Sequence, residues 1–457
     1  MSMPEVDVCV IGAGISGLTV AHRLSASGIA VRVLERASGP GGVIASRRDG
    51  ERLVEGGPNS AMGSAGALTA LISELGLDGE RVTANPAASR RFILRDGVLV
   101  PIPTSPPAAI RSPLLSARGK LRLLREPFIR RAPEGANESV GAFVRRRLGD
   151  EAEAYGVNPF VAGVFAGDPD LLEMRSAFPR LQAMETRAGS LVRAQITGLR
   201  QRKRSGTPRP PRAGMFSFRD GMQTLTDALA RSVDVTADAT VTSVTRAPDG
   251  YRVSFIGPEG ELALDTRAVV VATDADSARR IVRGLAPEID VPLREIPYAP
   301  VAIVTSEYRR DDVRHPLDGF GFLIPAREDR RILGTIFSST LFPHRASGGH
   351  ALLTTFVGGM RRPPDAALPD DELRGLVAAE LRDLLGAGAP VDVTVTRRPR
   401  AIPQYTMGHE ARIERITAVE ARYPGLHLCA NYRGGISVGD CVASAEATAA
   451  AVLTRLG

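Results

Sequence analysis

Cysteine is scarce in this sequence, and the three present, Cys9, Cys429 and Cys441, form no C-x-x-C pair. An odd, scattered set argues against a disulfide framework and a structural zinc. Cys9 sits in an apolar run, where a free thiol behaves as a small hydrophobe. The six histidines show no i,i+3 or i,i+4 pairing, which argues against a histidine-built metal site. No Ser/His/Asp or Cys/His arrangement for nucleophilic catalysis is visible. Long apolar runs are missing too. No stretch of eighteen apolar residues occurs, so no transmembrane helix is expected. The start, MSMPEVDV, lacks the basic region of a secretory signal. A cytoplasmic protein is expected, one that can still lie on a membrane surface.

What is present is ordinary globular composition. The 457 residues are 43% hydrophobic and 24% charged, enough for a large core and two or three domains. The formal net charge of +7 favours acidic partners such as nucleic acid, anionic lipid or an anionic substrate. Arginine on solvated faces would give the same number, and both readings stay open.

Local patterns alternate between strand and helix. Residues 6–11 read as a buried strand, 15–27 as a helix ended by Gly28, and 29–34 as a second strand, which implies a right-handed parallel crossover. Asp96-Gly97 between 92–94 and 98–100 signals a hairpin. Residues 105–200 are helix-like and rich in Arg and Leu. They end in GLRQRKRSGTPRPPRAG (198–214), which reads as an exposed basic linker. Beyond it come a helix at 222–231, strands at 234–236 and 241–245, a hairpin of 251–256 with 261–265, and the continuous apolar strand 268–272 expected of a parallel sheet. Strands at 301–306, 321–324, 331–337 and 352–357 suggest a mostly antiparallel sheet. Helices are expected at 371–385 and, after 434–436, over a stretch that contains 443–453.

Gly12-Ala13-Gly14-Ile15-Ser16-Gly17 fits G-x-G-x-x-G after a strand and at the start of a helix. Gly12 permits the tight turn, Gly14 lets the backbone approach a pyrophosphate, and Gly17 lets helix and strand pack closely. Phosphates then meet the free N–H groups of Ile15, Ser16 and Gly17 at the helix N-terminus. Glu35 ends the second strand, where a carboxylate can bind ribose hydroxyls, with Arg36 beside it. The following Pro40-Gly41-Gly42 resembles the glycine pair that many FAD-binding amine-oxidase-like proteins carry at this distance from the acidic residue, which favours FAD over NAD; the pair alone also reads as an ordinary turn.

Over nearly its whole length the chain resembles the oxygen-dependent protoporphyrinogen oxidases of the flavin amine-oxidase-like superfamily. The residues that carry this are VIGAGISGLTVAHRL (10–24), LVEGGPNS (53–60), SRRFILRDG (89–97), VAGVFAGDP (161–169), FRDGMQTL (218–225), GFGFLIP (319–325), LGTIFSSTLFP (333–343), TTFVGG (354–359), AIPQYTMGH (401–409) and NYRGGISVGDC (431–441). The resemblance implies an α/β fold with an α+β substrate domain, like that of monoamine oxidase. A Rossmann-type FAD domain would come from 1–84, 215–275 and 395–457. A mixed-sheet substrate domain would come from 85–104 and 276–394, and a helical membrane-associating insertion from 105–214. It also implies the reaction: hydride removal from a porphyrinogen to FAD, with dioxygen as the electron acceptor, and no need for a side-chain nucleophile or a metal.

The same resemblance assigns roles. Arg91 matches the position whose guanidinium faces a substrate propionate, and a planar fork pairs bidentately with a carboxylate. Arg90 is then the solvent residue. Leu323, Ile336 and Phe356 match positions that hold the macrocycle, although by residue type alone they read as core. Gly163 matches backbone that passes close to the macrocycle and whose carbonyl helps orient or deprotonate the substrate. Asn59 matches the flavin–substrate boundary, next to Gly57 and Pro58. Gly435 and Ile436, before the last helix, match flavin contacts, and Val241 matches the strand whose backbone holds the adenine. Two departures stand out. Arg398 occupies the slot of a tryptophan near the flavin, in a chain with no Trp, and Arg433 replaces a more usual apolar residue.

Residues 111–131, RSPLLSARGKLRLLREPFIRR, set Arg111, Arg118, Lys120, Arg122, Arg125, Arg130 and Arg131 against one acid, Glu126. Such a segment suits an anionic membrane surface, at the inner face of the cell membrane, or a solvated face over helices. Nucleic acid is not an expected partner, since no recognition motif accompanies the charge. The expected substrate is protoporphyrinogen. Coproporphyrinogen III is the alternative within the same chemistry, and a non-catalytic flavoprotein or porphyrin carrier is the alternative outside it. A homodimer is compatible with these expectations.

Overall fold

The computed structural model describes residues 6–133, 135–205 and 214–457. The chain divides into two compact units, one of Met1–Thr83, Gly214–Pro297 and Glu410–Gly457, the other of Ala84–Ala213 and Tyr298–His409. The helical insertion thus belongs to the second unit. Residues 276–297, expected with the substrate domain, lie in the first unit, and 395–409, expected with the FAD domain, lie in the second.

The first unit is built on a seven-stranded sheet. Its order is Asp234–Thr236, Val31–Leu34, Val6–Ile11, Gly260–Val271, Gly250–Gly257 and Thr240–Ala247, with Leu426–Leu428 also on Gly260–Val271. The long Gly260–Val271 strand explains the mixture. Its first half is mostly exposed or half-buried and pairs antiparallel in a hairpin. Its second half, Ala268 to Val271, is wholly buried and pairs parallel with Val6–Ile11 and Leu426–Leu428. A strand covered on both faces has no polar side to present.

Helices Ile15–Ala26 and Val438–Leu456 pack together in the core of this unit, through Leu18, Ala21, Val442, Ala445 and Ala449. Each follows the carboxyl end of a parallel strand, the edge where open α/β sheets bind ligands. The last helix contains the expected 443–453 and begins just after the Gly434-Gly435-Ile436 stretch. Ser437 caps it, and Asp440 completes a capping box that stabilises the first turn.

The second unit holds another seven-stranded sheet, ordered Asp392–Pro403, Tyr298–Arg309, His350–Gly358, Ile332–Phe337, Gly321–Leu323, Arg91–Arg95 and Val98–Pro101. Every pairing is antiparallel except Gly321–Leu323 with Arg91–Arg95. Helix Asp370–Leu385 covers one face, where Ala302, Val304, Tyr308, Phe337 and Leu353 meet Leu373, Val377 and Leu381.

In the insertion, helix Leu191–Ser205 runs through residues assigned from sequence to the linker. Leu199, Arg200, Gln201 and Arg204 are good helix formers, a single Gly198 is tolerated among them, and the dense run of Gly and Pro begins only at Gly206. The remainder of the expected linker, 206–213, lies outside the described residues. Glu126 does not face the basic residues at the surface. It is fully buried, 3.3 Å from the equally buried Arg147, and it caps the Leu191–Ser205 helix by accepting from Ser190 Oγ, Leu191 N and Val192 N. Among the described residues no helix is long and apolar enough to cross a membrane.

Candidate active site

In the first unit the glycine turn can be checked atom by atom. A Cβ on Gly17 would overlap the Gly12 carbonyl oxygen, so a side chain there would drive helix from strand. Gly12 holds φ +103°, and its Cβ would meet the Ala272 carbonyl oxygen at 2.9 Å. Gly14 is the opposite case, because a Cβ there would meet nothing within 4 Å. Its backbone borders open space at the N-terminus of the Ile15–Ala26 helix, where no side chain caps the free N–H groups of Ile15, Ser16 and Gly17. An anion is the natural partner for them.

Glu35 lies beside this turn. Its Oε2 accepts the Ala13 N–H at 2.7 Å and its Oε1 the Ala37 N–H at 2.9 Å. Two anchored oxygens keep further lone pairs for hydroxyl donors. Arg36 is exposed. The Gly41-Gly42 loop closes on the turn, with Gly41 N–H donating to Ala13 C=O at 2.9 Å and a Gly42 Cβ position 3.3 Å from Gly14 Cα. Gly57 packs so closely under the Val43 carbonyl that a Cβ would overlap it. Asn59, buried, donates from Nδ2 to the Gly57 carbonyl at 3.3 Å across the half-buried Pro58. Val241 sits opposite Phe255, just before a register shift in its strand.

Gly434, Gly435 and Ile436 lead into the Ser437 cap. Gly435 has φ +126°, and its Cβ would meet the Asp440 carboxyl group at 2.6 Å. Cys441, in the first turn of the last helix, touches Ser16 in the first turn of the first. Burial pushes its thiol up to about 12 against that hydrogen bond. Two helix N-termini therefore open side by side. Arg433 turns away from them, donating to Glu420 at 2.7 Å and to Thr417 Oγ1 at 2.7 Å. An open glycine turn, uncapped helix donors, an anchored carboxylate and a second helix N-terminus together fit a flavin dinucleotide.

In the second unit, strand register gathers the residues singled out on the substrate side. Arg91 pairs with Gly321, Gly321 with Ile336, and Ile336 with Thr354. In the next row Leu323 pairs with Gly334, and Gly334 with Phe356. Residues directly opposite share a face, so Arg91, Leu323, Ile336 and Phe356 lie on one side of the sheet, away from helix Asp370–Leu385. The patch spans four strands, about 14 Å at the usual strand spacing.

Burial marks the same residues. Leu323 alone in Gly321–Leu323, and Ile336 alone in Ile332–Phe337, escape full burial. In His350–Gly358 only Phe356 and the terminal His350 do. Three apolar side chains half-open on otherwise buried strands are an accessible apolar face and not a closed core. Helix Asn158–Phe165 covers one edge through Ala162 and Ala166, against Val301, Ile303 and Leu333. It lays Gly163 on Leu323, whose Cδ2 is 2.7 Å from where a Gly163 Cβ would be.

At the far side Arg91 is exposed, its guanidinium over the Phe320 ring, whereas Arg90 is ion-paired with Asp318. Arg398, opposite Val301, belongs to the same face as Phe356. Burial lowers its pKa. Sequence reasoning missed Asn158 and Arg361, which hold the Gly163 helix in place. Their partners are distant in the chain, so no local pattern announces them.

The profile of the flavin containing amine oxidoreductases matches residues 15–453. A mitochondrial protoporphyrinogen oxidase of Nicotiana tabacum is 34% identical, covering 98% of this chain and 95% of its own. A coproporphyrinogen III oxidase of Bacillus subtilis is 26% identical over 100% of both. Among solved structures, one assigned as a protoporphyrinogen oxidase, from Exiguobacterium sp. 255-15, superposes with a TM-score of 0.83 at 25% identity over 99% of each chain. A putrescine oxidase superposes with a TM-score of 0.72 at 18% identity, covering 99% of this chain and 100% of its own. The chain belongs to the flavin containing amine oxidoreductases, and within them to the group that includes the protoporphyrinogen oxidases. FAD is its cofactor, and its chemistry is porphyrinogen oxidation.

Proposed function

We propose that the protein oxidises protoporphyrinogen IX to protoporphyrin IX and passes the electrons to dioxygen, in tetrapyrrole biosynthesis. The observation that carries this reading is the half-open apolar face of Leu323, Ile336 and Phe356, bordered by the exposed Arg91. The plant relative at 34% identity supports it.

FAD supplies the hydride acceptor for a bridging methylene of the substrate. The chain's own residues position and stabilise. Arg91 binds a propionate, and the three apolar side chains flank the ring plane. The Gly163 carbonyl would help orient or deprotonate the substrate. The N-terminus of the Val438–Leu456 helix steadies negative charge at the flavin ring. In the first unit Glu35, Gly14 and the Gly41-Gly42 loop hold the dinucleotide.

Coproporphyrinogen III, with propionates where the other substrate has vinyls, is the second reading. The cationic Arg398 on the same face favours it, as do the bacterial relatives at 26% and 28% identity. The choice of acceptor is tested by following porphyrin absorbance and peroxide from protoporphyrinogen with and without air. Product formed only in air, with peroxide, supports dioxygen, and equal product without air opposes it.

We also propose peripheral contact with the inner face of the cell membrane. Ile110, Leu121, Leu124 and Phe128 are 62–81% exposed beside Arg111, Arg118, Lys120 and Arg125. An apolar patch rimmed by cations suits an anionic interface. Co-sedimentation with phosphatidylglycerol vesicles but not phosphatidylcholine vesicles is the expected result, and sedimentation with neither opposes it.

A further inference from the structure

The turn that follows the Phe356 strand reaches both ends of the helix that carries Gly163. At the C-terminal end, Met360 N–H donates to the Ala166 carbonyl at 2.7 Å, and Ala166 sits in the left-handed region at φ +47°. Gly359 passes so close that its Cβ would lie 2.6 Å from that same carbonyl oxygen. At the N-terminal end, Arg361 Nη2 donates to Asn158 C=O at 3.0 Å and to Asn158 Oδ1 at 2.5 Å. Arg361 Nη1 donates to the Ile324 carbonyl at 2.8 Å. Asn158 Oδ1 also accepts the Ala326 N–H at 2.9 Å. One guanidinium thus joins the residue after Leu323 to the first residue of the Gly163 helix.

We propose that Arg361 is a positioning residue that seats the Gly163 helix against the Leu323 strand, and thereby fixes where the Leu323 side chain stands on the face that meets the macrocycle. This rests on the porphyrinogen reading of that face. Arg361 acts through the backbone at Ile324 and through Asn158, not by touching substrate. A planar fork can hold acceptors on two elements at once, which a lysine ammonium on its flexible stem does not reproduce. Burial draws the guanidinium down to about 10, against the pull of Asp168 and Glu153, so it stays cationic at neutral pH. The cost of burying this cation, with Nε lacking a hydrogen-bond partner, is offset by the three acceptors it joins.

The test compares wild-type holoenzyme with Arg361→Met and Arg361→Lys, each with and without Gly163→Ala. Arg361→Met is expected to keep its FAD absorbance and to raise KM about tenfold, with kcat within about twofold. Arg361→Lys should fall between. Amide hydrogen exchange at 158–166 should quicken in Arg361→Met while 426–428 stays unchanged. Gly163→Ala should raise KM in the wild type but add less in Arg361→Met, because the released helix can retreat from Leu323. Unchanged exchange at 158–166, or KM effects that simply multiply, would overturn the proposal. A wild type that oxidises no porphyrinogen would sink the functional reading, and the exchange comparison would still decide the role of Arg361.

Discussion

The Arg91 guanidinium lies 5.2 Å from the centre of the Phe320 ring, while its neighbour Arg90 is ion-paired with Asp318. Adjacent arginines thus face different partners. Arg91→Ala should cost about 1.5–3 kcal/mol in kcat/KM, the value of a hydrogen bond to a charged group, with FAD content kept. Arg90→Ala should change kcat/KM by less than about twofold, as exposed ion pairs are worth little. Equal losses in steady-state assays of the two variants would remove Arg91 from the substrate.

Gly163 faces Leu323 with room for a hydrogen and little more. Gly163→Ala should therefore displace the Leu323 side chain and cost about 1–3 kcal/mol of overpacking. The loss should appear as a lower melting temperature, and adding Leu323→Ala should recover part of it. If the double variant melts below either single one, the added methyl and the Leu323 side chain do not compete for the same space.

Gly17 gives the sharpest prediction for the cofactor. A methyl group there overlaps the Gly12 carbonyl oxygen. Gly17→Ala should purify with little flavin absorbance per mole of protein, and heating should lower its midpoint relative to wild type. Gly14→Ala meets no protein atom, so it should keep its fold and lose affinity for FAD alone. A yellow, fully loaded Gly14→Ala would show that this backbone does not border the pyrophosphate.

Glu126 and Arg147 form a buried pair in the insertion. Burial raises the Glu126 pKa, but hydrogen bonds from Ser190, Leu191 and Val192 and the charge of Arg147 outweigh it and hold the group below the usual carboxylate range. Breaking such a pair costs about 3–5 kcal/mol. Glu126→Gln should therefore melt lower than wild type at neutral pH. The folded pKa is depressed, so the stabilisation is complete above the unfolded value of about 4.3 and disappears as pH falls through the folded one. The melting gap between wild type and variant should narrow only below that pH. A gap that is constant down to the acid transition would contradict the assignment.

The dinucleotide turn was legible because its information is local. Gly12, Gly14, Gly17 and Glu35 lie within one strand–helix–strand unit, and each has a separate steric or charge role. The start of the last helix was legible too, since the Gly434-Gly435-Ile436 stretch precedes it, although the Ser437–Asp440 capping box that fixes its first turn was not singled out. The face shared by Arg91, Leu323, Ile336 and Phe356 could not be read from periodicity. It depends on pairing between strands far apart in the chain, and by residue type the last three read as core. Glu126 was misread for the same reason. Its partners lie elsewhere, Arg147 on another helix and Ser190 just before a third, and in sequence it looks like one acid among surface cations.

The account turns on which porphyrinogen this face admits. The direct measurement is kcat/KM of the purified holoenzyme for protoporphyrinogen IX and coproporphyrinogen III side by side, by porphyrin fluorescence in air. The expected result is a higher value for protoporphyrinogen, with peroxide formed as porphyrin appears. A higher value for coproporphyrinogen, or no turnover of either by a yellow, folded protein, would contradict it.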